Sequence, residues 1–519
     1  MEWLSFRKLK IYVFMAALTL FLCLYIGNYS IEAATDIRVG LKSTYFDKKI
    51  ITIYNTEIKM GYCINDSYKP DIVLKSVGGF SFEPDKADYY TDNVIYGSYK
   101  SAVSKTKDYS TAYVCYAGRN IWMVYIPAKA VSDKGNLIKV SSNELICVSF
   151  GQKKMLIDGN VSGGYPQFTY YGADKSVSLG SKKYRGRIEI GRYGNDTIRA
   201  INIVNIESYL MGVVSCEMNT TWHYEAQKAQ AVAARSYCLA NTGFAADSYL
   251  KKGYVIVDTD ESQVYGGVNK ETEISKYAVK STLKQILKSN GKTVPAYFFS
   301  TSGGATEFSS DIWGGNSSVF IGVFDEYETN PERKPWIVKT TFSELEQKLK
   351  AKGYSISGIK DIYPEILSDS GRVSSIKIKH NGGNTTVKGS EIKSMYGMHS
   401  TKFKIITGDN PDDSVYIRTA NNGEQENTSV LTSDIYVISG TGQVSRIEDN
   451  TDQMVVISSD NMTNFSVDQP LKNEIWFIGM GWGHGIGMSQ SGAYGLALKG
   501  YKYDEILKFY YKNVELAKY

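Results

Sequence analysis

The sequence predicts an α+β protein: a mixed core around one long helix carrying the AQAVAARSY motif, a β-rich N-terminal region and a strand-rich middle insert. Three observations predict it. Residues 220–241, "TTWHYEAQKAQAVAARSYCLAN", place Ala226, Ala229, Ala233, Tyr237 and Ala240 three and four apart among good helix formers. Residues 36–160 instead carry short β-branched and aromatic runs ("IRVGLK", "KKIITIYN", "TAYVCYAG") broken by Gly, Asn and Asp. Residues 330–475 return to polar, strand-like sequence with one clear helix.

The chain has 519 residues, enough for several domains with cores of their own. Its net charge of +5 is not gathered into a basic stripe, so nucleic acid is not an expected partner. The 40 tyrosines suit carbohydrate surfaces, because their rings have apolar faces and polar edges; a compositional bias of the genome explains the count equally well. At the N-terminus, Arg7, Lys8 and Lys10 precede the apolar run 11–27 and a small-residue exit at Ala33–Ala34. Residues 1–34 therefore read as a signal peptide or a membrane anchor, and either leaves the remainder extracytoplasmic. Membrane contact is expected only through that segment if it stays uncleaved. Cys63, Cys115, Cys147, Cys216 and Cys238 remain beyond the leader; five cannot all pair, and a disulfide framework is not expected.

The region 36–160 holds one recognisable shape. Residues 92–128, "DNVIYGSYKSAVSKTKDYSTAYVCYAGRNIWMVYIPA", read as strand, short helix, strand, turn at Arg119–Asn120, strand. Around 86–130 this resembles half of a SPOR domain, a module that binds peptidoglycan glycan strands stripped of peptides; an ordinary α+β packing unit has the same pattern. A turn-rich linker, "DGNVSGGYPQ", follows, and a second region is expected over 165–519. It opens with two alternating strands around Gly194, Asn195 and Asp196, then a short helix "NIESYLMGVV" with Asn205 as its N-cap. Within the insert, at about 330–475, "TTFSELEQKLKAKG" predicts a helix capped near 341–343, "SGRVSSIKIKH" a strand, and 421–429 an exposed loop.

The chemistry is sought in "GMGWGHGIGMSQSG", residues 479–492, where six glycines imply a close backbone approach. A phosphate loop would need G-K-[ST], and a dinucleotide fingerprint a following βαβ unit; neither is present. His223, His380, His399 and His484 are isolated from one another, so no local zinc pattern exists. Ser302 in "STSGGATEF" lacks the G-x-S-x-G context of a serine nucleophile and reads as a turn. What remains is a general acid. Glu217 in "SCEMN" lies among Val213, Val214 and Met218, and burial there would hold a proton for donation.

Four motifs in order, "INIVNIESYLMGVVSCEMNTTWHYEAQKAQAVAARSY", "ESQVYGG", "AYFFSTSGGATEFSSDIWGG" and "GWGHGIGMSQSGAYGLALKGYKYDEILKFYY", resemble the stage II sporulation protein D family, SpoIID/LytB. The resemblance covers about 165–519. It implies a mixed catalytic core acting as a peptidoglycan lytic transglycosylase, which cleaves the MurNAc–GlcNAc bond without water and leaves a 1,6-anhydro end. Denuded strands, made by a partner cell-wall amidase, are the implied substrate. The family's catalytic glutamate falls on Glu217, and its A-A-R-[ST]-Y arginine on Arg235. Substrate contacts are expected at Tyr237, Gln263, Tyr265, Ser300, Ser302, Gly303, Gly304, Trp313, Trp482, His484, Gly485, Ser489, Gln490 and Tyr494. The glycines of 479–492 are expected to let backbone approach a sugar chain, with Trp482 or Tyr494 stacking and His484 shaping the site.

The chemistry is consistent with one carboxylate. Hydrolysis normally uses two, whereas a transglycosylase glutamate protonates the leaving oxygen and then takes the proton of the sugar's own 6-hydroxyl. Arg235 could position that glutamate or a sugar oxygen, but a cation beside it would lower the pKa; an ion pair at a helix end is the structural alternative. Some members bind zinc through residues that are Phe299 and Ser262 here, so no metal or cofactor is expected. Ser491 replaces a common tyrosine, and Cys216 a common serine. The rival readings are a non-catalytic amidase enhancer and a wall protein anchored through 36–160. The implied setting is the cell wall or outer membrane face of a spore-forming or other Gram-positive bacterium.

Overall fold

The computed structural model describes residues 36–519 except 65–66, 141, 161–163, 172–174, 245–252, 316 and 329–334; within 409–469 it describes only the backbones of short strands. The leader lies outside the described residues; of the expected 421–429 loop, Asn421 and Glu424–Glu426 are strand, with Asn421 paired to Glu424, and the rest lies outside. By its contacts the chain divides into two units, 1–206 and 207–519.

The first unit is built on two sheets. In one, strands run in the order Asp36–Gly40, Thr197–Asn205, Arg187–Tyr193, Gln167–Tyr170, Glu57–Ile64, Ser67–Lys75, every neighbour antiparallel. Alternation in the predicted hairpin is visible in its burial: Ile188, Ile190, Ile198 and Ala200 are buried, while Arg187, Glu189, Thr197 and Arg199 are only partly so. Tyr193 pairs with Thr197 across the Gly194–Asp196 turn, as the sequence pattern requires. This hairpin opened the expected second region, but its pairing to Asp36–Gly40 and Gln167–Tyr170 makes it part of the first unit. The other sheet has ten strands and includes Tyr113–Gly118 and Ile121–Pro127. Helix α1 (Tyr99–Thr106) starts at Ser98, whose hydroxyl accepts from the Ser101 N–H. The helix, strand, turn, strand order read over 92–128 is present, but the strand ahead of it lies at Tyr89–Thr91, before the expected span.

The second unit carries the long helix. Helix α2 (Ile206–Glu217) ends at the glutamate, and α3 (Tyr224–Phe244) follows after a short turn. Ala226, Ala229 and Ala233 are fully buried, and their small side chains admit α7 (Gln490–Leu498) and α8 (Tyr503–Tyr510) against the helix. Between them in sequence comes α4 (Glu273–Ser281), opened by a Thr272–Ser275 capping box, and the C-terminal strand Glu515–Lys518 returns to a sheet ordered Lys292–Thr293, Gln285–Ser289, Glu515–Lys518. The middle insert has its own core of Leu345, Leu349, Ile376, Ile378, Ile392 and Phe477. That core joins α5 (Phe342–Ala351), α6 (Gly389–Tyr396) and the hairpin Ile359–Leu367/Val373–His380. Thr341 caps α5 by accepting from the Glu344 N–H, within the expected 341–343. The α+β expectation is met. The five described cysteines are all free thiols, with Cys115 and Cys238 buried.

Candidate functional site

A cleft of about 1650 Å³ opens in the second unit, between the core and the insert. Glu217 lies on its wall because α2 ends there, and chain reversal toward α3 carries Asn219, Thr220 and Trp222 along the same wall. Its Oε1 accepts from the Val264 N–H at 2.7 Å, and its Oε2 from the Gln490 side-chain amide at 3.3 Å. Burial raises the Glu217 pKa above its ordinary value; these two donors pull the other way, and the Asp260 charge adds to the rise. Each oxygen thus accepts one hydrogen bond and keeps a lone pair, with the weaker hold on Oε2.

The structure brings six of the predicted residues together on this cleft: Glu217, Tyr237, Ser300, Trp482, His484 and Gln490. His484 is uncharged at neutral pH. Burial pushes its pKa down to about 4, and Arg372 and Lys393 add repulsion. Its Nδ1 accepts from the Ile486 N–H, which leaves Nε2 protonated toward the Phe298 carbonyl, 3.1 Å away. Both ring nitrogens are thus held by backbone, and the ring shapes the wall. Trp482 is 38% exposed and stacks on His399 at 3.5 Å between centroids, so one aromatic face is already covered by protein.

Among the described residues, the other expected site residues lie off the cleft lining. Arg235 is fully buried and pairs with Glu207 through two hydrogen bonds of 2.9 and 2.6 Å, with further bonds to the Gln285, Val279 and Ala231 carbonyls. None reaches Glu217, so Arg235 ties α3 to α2; the ion-pair alternative is the one its contacts fit. Gln263 is buried, accepting from the Tyr209 hydroxyl and donating to the Ala234 carbonyl, and Tyr265 packs on Tyr209. Ser302 and Gly303 turn their N–H groups onto the Glu328 carboxylate, which also accepts from the Ser489 hydroxyl, and the Ser302 Oγ accepts from the Gly304 N–H. The anion-binding turn is therefore filled by the chain's own glutamate. Tyr494 stacks on Trp222 at 4.8 Å, and it is Trp222 that lines the cleft. The Trp313 side chain lies outside the described residues.

The glycine run makes its close approaches to protein. Gly487 has φ +82°, and a Cβ there would stand 2.1 Å from the Tyr297 carbonyl oxygen. Gly485 has φ +88°, and a Cβ would meet the Arg372 guanidinium at 2.6 Å. The glycines let the strand Phe298–Phe299 and an insert side chain pack against the loop, and Gly485 lies against Arg372 rather than on the cleft lining. We expect Gly487→Ala to destabilise the protein by about 2 kcal/mol or more, through left-handed strain and overpacking. Urea denaturation would measure this.

Sequence reasoning missed the insert's share of the cleft. Ile366, Val373, Lys388, Lys393 and His399 line it opposite the core. Among the described residues no group of three or more His, Cys, Asp or Glu is placed to hold a metal ion.

A family model described as stage II sporulation protein, SpoIID, matches residues 194–288, which span α2, α3 and α4. An uncharacterized protein of Brachyspira hyodysenteriae is 28% identical over 76% of this chain and 88% of its own length. An amidase enhancer of Bacillus subtilis is 29% identical over 67% of this chain, which spans 46% of that longer relative. Stage II sporulation protein D of Bacillus subtilis is 26% identical over 62% of this chain and 76% of its own length.

Proposed function

We propose, on the premise that this chain belongs to the stage II sporulation protein D (SpoIID/LytB) family, that it is a peptidoglycan lytic transglycosylase with Glu217 as its acid and base. The observation that carries the reading is a buried carboxyl group, its pKa raised by that burial, on the wall of a long cleft bearing Trp222, Tyr237, Tyr297 and Trp482. Aromatic faces of this kind stack on sugar rings.

The reaction balances with this one group. Glu217 donates its Oε2 proton to the glycosidic oxygen of the leaving GlcNAc as the MurNAc C1–O bond breaks. The MurNAc 6-hydroxyl then attacks C1, and its proton passes to the Glu217 carboxylate, restoring the acid. The Val264 N–H and the Gln490 amide stabilise the carboxylate between the two steps. Arg235 acts at a distance, by fixing α3 against α2. Denuded strands, extracytoplasmic action and a cell-wall amidase partner belong to the same proposal; among the described residues no helix is long and apolar enough to cross a membrane.

A pH profile reads the acid directly. Activity is lost as pH rises through the Glu217 pKa, so the alkaline limb is expected above 4.5, the ordinary carboxylate value. Asp260→Asn removes a negative charge, favours the Glu217 anion, and is expected to move that limb to lower pH.

The name of the amidase enhancer relative favours a second reading, a glycan-binding stimulator of an amidase. Purified chain incubated with glycan strands, with and without a cell-wall amidase, separates the two. Shortened strands from the chain alone support the enzyme. Faster peptide release by the amidase, with strand length unchanged, supports the enhancer.

A further inference from the structure

The two walls of the cleft differ in charge. The core wall carries Glu217, Asp260, Glu261 and Asp311. The insert wall carries Lys388 and Lys393, and its one carboxylate on the cleft, Glu365, is already paired with Lys377 at 2.5 Å and with the Thr386 hydroxyl. Lys393 sits in the last turn of α6, half-buried, with no ion pair or side-chain hydrogen bond among the described residues. It is near enough to His484 to lower that ring's pKa, and the buried Arg372 acts on the same ring. Burial is the larger cause of the neutral His484, and the Lys393 and Arg372 charges add to it. A half-buried ammonium without a counter-charge is costly unless an anion comes to it.

The glycan that the proposed reading brings to this cleft carries one anion per disaccharide when peptide-free: the lactyl carboxylate of MurNAc. In a peptide-bearing strand the same carbonyl is an uncharged amide. We infer that Lys393 is a specificity residue that pairs with the free lactyl carboxylate, so that the insert wall recognises stripped strands and the acid wall of the core receives the neutral edge of the sugars. This rests on the glycan reading of the cleft. It assigns Lys393 to binding and leaves the proton transfers to Glu217.

The test uses binding, so that it does not depend on turnover. The full chain is titrated with a peptide-free GlcNAc–MurNAc tetrasaccharide and with the same molecule whose lactyl carboxylates have been converted to methylamides. Wild type is expected to prefer the carboxylate form by about fivefold, a preference that shrinks as salt rises. Lys393→Met is expected to bind both forms equally, at the methylamide's affinity, with unfolding unchanged, and Lys393→Arg to keep the preference. Equal binding of the two forms by wild type, or a preference surviving in Lys393→Met, overturns the assignment while leaving the glycan reading in place. Failure of wild type to bind either saccharide overturns both.

Discussion

Glu217→Gln is expected to lower glycan cleavage by about a thousandfold or more while strand binding stays within a few-fold of wild type. General acid–base groups contribute about 10²–10⁴-fold, and here one group serves both steps, so no second residue carries half of the work. Glutamine keeps the volume and the acceptor toward the Val264 N–H, so the wall is preserved. Glu217→Asp retracts the carboxyl from that N–H and should also be severely impaired. The kcat should fall and KM should change little, because the group acts on the reacting atoms and does not anchor the sugar chain. A variant that lost binding in parallel would mean that Glu217 is a contact residue.

Arg372→Met is expected to cost about 3–5 kcal/mol of stability. Arg372 and Glu307 are both fully buried, with Nε 3.5 Å from Oε1, and Arg372 also bonds the Gly483 and Ser302 carbonyls. Glu307 accepts from the hydroxyls of Ser368 and Ser370, so the insert turn 368–372 is pinned to the core by one charge pair and its hydrogen bonds. Removing the cation leaves a buried carboxylate uncompensated. Glu307 is already raised by burial, with the Ser368 hydrogen bond and the Arg372 charge opposing the rise. In the variant that pKa climbs further above its unfolded value, so stability is retained at low pH and lost as pH rises through the folded pKa. Urea unfolding at two pH values checks both the size and the sign. Arg372→Met/Glu307→Gln should recover part of the loss; a double variant as unstable as the sum of the singles would contradict the pairing. Because Val373 and Ser374 follow the turn directly into the cleft wall, the single variant should also raise KM.

How far the sequence led depends on the range of the contacts involved. Short-range patterns were readable: the hairpin about Gly194–Asp196, the alanine face of α3 and the Thr341 cap each depend on residues within a few positions. The burial of Glu217 was readable because its apolar neighbours in α2 are adjacent in sequence. The glycine run announced a close approach but not what approaches. Its neighbours are the Tyr297 carbonyl and Arg372, and Arg372 meets Gly483 across 111 residues of chain. The Ser302–Gly304 turn looked like a ligand cradle because its partner Glu328 lies 26 residues away in an unpatterned segment. The motif arginine Arg235 similarly gave no hint that Glu207 would claim it. Lys393 and His399 carried no signal in a polar insert. Trp222 did: an aromatic residue just before the long helix, in "TTWHYEAQ", could have been weighed with Trp482 and Tyr494.

In the proposed mechanism one carboxyl group cleaves the glycan with no water entering the products. The direct test is digestion of denuded strands in water enriched in oxygen-18, with mass spectrometry of the new ends. The expected products are 1,6-anhydro ends without label, and none of them from Glu217→Gln. Reducing ends carrying oxygen-18 would contradict the mechanism, make the chain a hydrolase, and point to Asp260, whose charge already reaches Glu217, as the second carboxylate.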